Sequence, residues 1–151
     1  MQTYTVRQLA ELVQKPNEKI GITIDRLAHW TDENMLTVHG DRNPGTGRKR
    51  LYERTALFEA LTLSLLSEAV GSPVTSPEFI KVFQASRPLQ FATQAKGSRF
   101  LIAAFSRTEG AEFGTSVARN LARYIANSPH EAHVVIDLWT LADRIKRFEH
   151  G

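Results

Sequence analysis

Basic side chains gather in one short stretch of this chain. Between His39 and Arg54 lie Arg42, Arg48, Lys49, Arg50 and Arg54, against only Asp41 and Glu53. The run Arg48-Lys49-Arg50 follows a turn rich in glycine and proline, GDRNPGTG over residues 40–47. Cations held on a projecting loop suit phosphate oxygens; the same residues would also serve as a solvated hairpin. A second group lies upstream, where Thr23, Asp25, Arg26 and His29 follow one another closely. The planar fork of Arg26 fits guanine or a phosphate, or it forms a surface salt bridge. Thr23 can offer its hydroxyl to a ligand or cap a helix, and capping is the favoured role. His29 can meet a phosphate or sit as a half-buried polar residue. Tyr52 can donate to a phosphate or anchor the hairpin to the core, and Trp30 is expected in the core.

Other chemistries fit less well. GDRNPGTGRKR is glycine-rich, but it lacks the G-K-[ST] ending of a phosphate-cradling loop and leads into no helix. His130 and His133 are three residues apart at an expected turn into a strand, which argues against a metal site. Asp137 beside His133 could do acid–base work, but no nucleophile accompanies them. The chain has no cysteine, which excludes disulfides, thiolate metal sites and cysteine nucleophiles. No catalytic set, cofactor or metal is expected.

These residues need elements to position them. With 151 residues and 42% hydrophobic composition the chain can bury a core as one domain or two small ones. Thr5 and Gln8 form a capping-box pattern before a helix whose Val6, Leu9, Ala10 and Val13 share a face. Lys15-Pro16-Asn17 ends it. A short second helix is expected from Thr23, after a turn at Gly21, with Ile24, Leu27 and Ala28 inward and Asp25, Arg26 and His29 outward. Residues 36–39 and 48–52 alternate as two strands of a hairpin around the long turn. Residues 54–70 read as a helix ended by Gly71-Ser72-Pro73, and 72–77 as a linker. Beyond it, a helix up to the Arg87-Pro88 break, a strand over 99–106, a turn region over 108–114, a helix over 115–127, a strand over 132–140 and a helix over 141–148 are expected. The N-terminus has no apolar signal core, and no stretch is long and apolar enough to cross a bilayer. The expected setting is therefore the cytoplasm, with no membrane partner.

GITIDRLAHWTDENML, residues 21–36, resembles the MerR family of bacterial regulators, whose pattern runs roughly G-V-S-x-x-T-L-R-Y-Y-E-x-x-G-L-L. Gly21, Thr23, Leu27, Trp30 and Leu36 carry the match. Tyr4 to Ala10 resembles that family's opening, and Arg50-Leu51-Tyr52 its wing-closing R-x-Y. The similarity covers about residues 3–70. Residues 14–20 appear as an insertion between the two helices, Ala28 stands where the family often has an arginine, and no long dimerisation helix follows Gly71. The resemblance implies an N-terminal winged helix-turn-helix over 1–71; with the small α/β module that the pattern of elements gives over 78–151, expected to dimerise or sense an effector, the chain reads as α+β.

That resemblance also implies a function. The second helix would enter the major groove of double-stranded DNA and the basic wing would lie on the phosphates. The expected contacts are Thr23, Asp25, Arg26, His29, Arg42, Arg48, Lys49, Arg50 and Tyr52. A transcriptional regulator working as a homodimer is the leading reading. An excisionase-like architectural factor, or a winged domain turned to protein contacts, are the alternatives.

Overall fold

The computed structural model describes residues 2–45, 47–71, 75–87, 97–108 and 110–151. Among these the chain is α+β, with six α-helices and two three-stranded antiparallel sheets.

The first sheet is small. Strand β1 (Tyr4–Thr5) and strand β2 (Val38–His39) flank strand β3 (Leu51–Tyr52), in the order β1-β3-β2. Tyr52 faces Tyr4 on one side and Val38 on the other. The loop of residues 40–50 is therefore the connection of an antiparallel hairpin, with paired strands shorter than the alternation predicts. Pairing of β1 was not legible in so short a segment.

Helix α1 (Val6–Val13) starts on the expected capping box: the Gln8 amide donates to Thr5 Oγ1 at 3.3 Å and the Thr5 amide to Gln8 Oε1 at 2.8 Å. Such a cap satisfies two amides that the first helical turn leaves without partners. The helix stops at Gln14, whose extended backbone precedes Lys15-Pro16. Helix α2 (Ile20–Asp32) begins one turn earlier than predicted. Its N-cap is Lys19, without a side-chain bond, so Gly21 lies inside the helix and Thr23 does not cap it.

Helix α3 (Arg54–Val70) is the centre of the core and matches the predicted span, ending at Gly71 with φ of 68°. It is buried on almost every side, so even Glu59, Thr62 and Ser64 are inside. Helix α4 (Pro77–Ser86) has Ser76 as its cap, the Phe79 amide donating at 3.2 Å, and Pro77 in its first turn, where a missing N–H is harmless.

The second sheet has the order β5-β4-β6, from β4 (Phe100–Ser106), β5 (Gly110–Ser116) and β6 (Ala132–Asp137). Strand β5 corrects the predicted turn over 108–114, and it also takes the first residues of the predicted helix over 115–127. What remains of that helix is a single 3-10 turn over 118–120 and α5 (Leu121–Ala126). Phe113 explains the miss: it alternates with glycines and polar residues, yet its ring packs edge-on against Phe79 and Phe83, giving β5 an apolar contact that its own sequence hardly advertises. The chain also turns helical at Leu138 rather than 141, because Asp137 caps α6 (Leu138–His150) by accepting from the Trp139 amide at 3.1 Å.

One buried cluster takes in Leu9, Leu27, Leu57, Phe83, Leu101 and Ile145, so residues on both sides of 72–77 share a core. Polar ties run the same way. Arg54 pairs with Glu149 at 2.7 Å, Arg144 donates to the Leu12 carbonyl at 3.1 Å, and Gln84 donates to the Glu33 carbonyl at 2.6 Å. Glu59 accepts from the Thr37 amide at 2.7 Å and meets Arg87 at 3.4 Å. Burial pushes its carboxyl pKa up, against the lowering pull of Thr37 and Arg87. The linker residues 72–74 and the residues 88–96 after the predicted break lie outside the described residues.

Candidate nucleic-acid interface

Helix α2 and the hairpin loop stand side by side. A groove of about 580 Å3 separates them, with Ile24 and Ala28 on the helix side and Asn43, Arg48 and Arg50 on the loop side. Tyr52 and Val6 lie at its base. Amphipathic spacing explains the helix: Leu27, Trp30 and Thr31 turn into the core, while Ile22, Asp25, His29 and Asp32 form an exposed stripe at helical spacing.

The loop is held by Arg50. Its Nε donates to the Arg42 carbonyl at 2.7 Å, and its Nη2 reaches Asn43 Oδ1 and Asp32 Oδ1, both at 3.2 Å. One guanidinium therefore fixes the turn on itself and ties it to the end of α2. Positive φ at Gly40 and Gly45 lets the chain reverse where a side chain would be strained. Arg48 and Lys49 remain exposed, and among the described residues neither has an acidic partner.

The nine residues singled out from sequence thus divide. Asp25, His29, Arg48 and Lys49 are exposed, and Arg42 and Arg50 are partly so. Arg26 is turned back: its Nη2 bonds Glu18 Oε1 at 2.7 Å, within the segment between the helices. Thr23 is 0% exposed and donates to the same Glu18 oxygen at 2.8 Å. Tyr52 is 1% exposed, and its hydroxyl shares a 2.8 Å bond with Thr31. Thr23 and Tyr52 are corrected as contacts: each hydroxyl is already used inside the fold, and the residues anchor the elements instead. Arg26 takes the salt-bridge role that the sequence also allowed. Glu18 gathers Thr23 and Arg26, and those bonds hold its carboxyl pKa below the ordinary value although desolvation, the largest single influence, raises it.

Ile22 escaped sequence reasoning. It is 55% exposed on α2, one turn before Asp25. Starting the helix at Thr23 hid it; extending the periodicity back from His29 through Asp25 would have placed it on the same stripe.

No model of a known protein family matches the chain. No match is found among curated proteins either. Among the described residues no cluster of three or more His, Asp or Glu is arranged to hold a metal ion, and no helix is long and apolar enough to cross a membrane.

Proposed function

We propose that the chain is a sequence-reading, double-stranded DNA-binding regulator of transcription. In this reading α1 and α2 are the two helices of a helix-turn-helix and the β2–β3 hairpin is its wing, as the resemblance to MerR-type regulators implies. The observation that carries it is an exposed stripe on α2 beside a hairpin loop that carries two exposed cations, Arg48 and Lys49, with Arg48 lining the groove between helix and loop. A helix offered to a major groove reads base edges, while cations on an adjoining loop track the phosphates.

The roles follow from the side chains. Ile22 is suited to a thymine methyl, Asp25 can accept from the cytosine amino group, and His29 can donate to a purine or a phosphate. Arg48 and Lys49 supply charge attraction, and Arg50, committed to the loop, holds them in place. Thr23 and Tyr52 keep α2 and the hairpin at a fixed spacing without touching DNA. The protein works as a homodimer on two half-sites, with the outer edges of β5 and β6, unpaired among the described residues, available to join across a twofold axis. A monomeric mass in light scattering at tens of micromolar would remove that part of the reading. The cytoplasm, at the nucleoid, is the compartment where such a regulator acts.

The test is an anisotropy titration of mixed-sequence duplex DNA at several salt concentrations. Affinity that falls steeply with salt supports the reading, since released counterions are the signature of phosphate contacts. A second reading has its own observation: the exposed stripe of α2 carries Asp25 and Asp32, which repel phosphates. A winged domain turned to protein contacts fits that acidity, and it predicts no salt-dependent DNA affinity at all.

A further inference from the structure

A second cavity lies on the far side of the molecule's larger sheet. It has a volume of about 580 Å3 and opens between β5 and α5. Its walls are mainly polar: Glu112 and Ser116 from β5, Asn120 and Arg123 from the 3-10 turn and α5, Tyr124 beside them, and Asn127 at the helix end. We propose that this cavity binds a phosphate monoester of a polyol, that is, a small sugar phosphate, independently of whether the chain reads DNA.

The floor is built for close approach. Gly114, between Glu112 and Ser116 on the same face of β5, lies under the phenol of Tyr124, and a Cβ at 114 would collide with that hydroxyl. The phenolic end of the tyrosine thus abuts the strand at a position where only a glycine leaves room for it. Burial and the neighbouring Glu112 keep its phenol neutral well into the basic range, so it stays a hydrogen-bond donor.

The lining combines an arginine, a carboxylate and several neutral polar groups. Arg123 is exposed and meets no acidic side chain among the described residues, so its fork is free for a phosphate. Asn120 and Asn127 carry amides that can donate to the same group or accept from hydroxyls. Glu112 lies in the same lining as an acceptor-only group, suited to a pair of vicinal hydroxyls and hostile to a second anion. It is steadied by His130, whose Nδ1 is 3.7 Å from Glu112 Oε2 and 3.3 Å from the Ser128 hydroxyl. His130 is 8% exposed, and its Nε2 and that of His133 are buried without protein partners. A ligand with one charged phosphate and several hydroxyls matches this lining; an apolar ligand or one charged at both ends does not.

The test is thermal unfolding of the full-length chain with ribose 5-phosphate, glucose 6-phosphate, ribose, glucose or inorganic phosphate, each titrated to millimolar levels. A ligand that binds only the folded state raises Tm in proportion to the logarithm of its concentration. The expected result is a rise of several degrees with at least one sugar phosphate, a smaller one with phosphate alone and none with the free sugars. Arg123→Gln should abolish the phosphate response without lowering the ligand-free Tm, because the side chain is exposed and makes no hydrogen bond or ion pair among the described residues. Glu112→Gln should weaken sugar phosphate binding at least tenfold while leaving inorganic phosphate unaffected. No shift with either sugar phosphate overturns the proposal. So does a shift that survives Arg123→Gln, or one that inorganic phosphate reproduces in full.

Discussion

Removing Arg48 and Lys49 together should change the salt dependence of DNA binding by a calculable amount. Both side chains are exposed and have no acidic partner among the described residues, so their loss should leave the fold intact. Each phosphate contact adds about 0.9 to the slope of log affinity against log salt, so the double alanine variant should lose about 1.8 from that slope. Over a fourfold rise from about 50 to about 200 mM salt, the native protein should then lose about twelvefold more affinity than the variant. Anisotropy titrations of one labelled duplex at four salt concentrations measure both slopes. The same charge change at Lys81 and Arg107, exposed residues outside the interface, serves as the control and should leave the slope alone. If the loop variant keeps the native slope, the wing does not lie on phosphates and the electrostatic half of the argument is wrong. Equal losses in loop and control variants would show that only net charge matters.

Other consequences concern stability and can be checked by urea unfolding. Phe79 contacts the rings of Phe83, Phe105 and Phe113 at centroid distances of 5.7 to 6.2 Å, so Phe79→Ala should cost about 3–5 kcal/mol. Asp137→Ala removes the cap of α6 and should cost about 0.5–2 kcal/mol, whereas Asp137→Ser, which can still cap, should recover much of it. The Arg99 guanidinium beside Asp137 holds its carboxyl down to about 2, from 3.8, so its contribution is complete above about pH 4 and fades as pH falls toward 2. Asp137→Asn should flatten that acid limb. Glu59 works in the opposite sense: its folded-state pKa lies above 4.5, so stability falls as pH rises from 4.5 through the raised value. Glu59→Gln should remove that fall, and Glu59→Ala should cost about 1–3 kcal/mol by stranding the Thr37 amide. Because the core is continuous, calorimetry should show one cooperative transition; two resolved transitions would divide the chain near residues 72–77.

Local chemistry was the most legible part of the chain. The Thr5–Gln8 box, the stop before Pro16 and the span of α3 all follow from interactions within a few residues, and each stands where the pattern put it. Strand β5 was hidden because Gly110, Gly114 and its polar residues leave Phe113 as its one large apolar side chain; its place is set by pairing along β4 and by the rings on α4. The start of α2 was misplaced because Gly21 reads as a turn, although a glycine costs a helix only about 1 kcal/mol. That error carried Thr23 into the list of contacts and left Ile22 out. Arg26 and Tyr52 show a second limit: sequence can name a polar group, but Glu18 and Thr31, which claim them, are brought close only by the fold.

The most direct test of the central claim is selection of genomic duplex fragments by the purified protein at roughly physiological salt, where nonspecific binding is weak. The account predicts a recurring, near-palindromic motif upstream of genes, lost when Asp25 and His29 are replaced and retained but bound more weakly when Arg48 and Lys49 are replaced. Fragments that show no enriched sequence, bound no better by the native chain than by these variants, would contradict it.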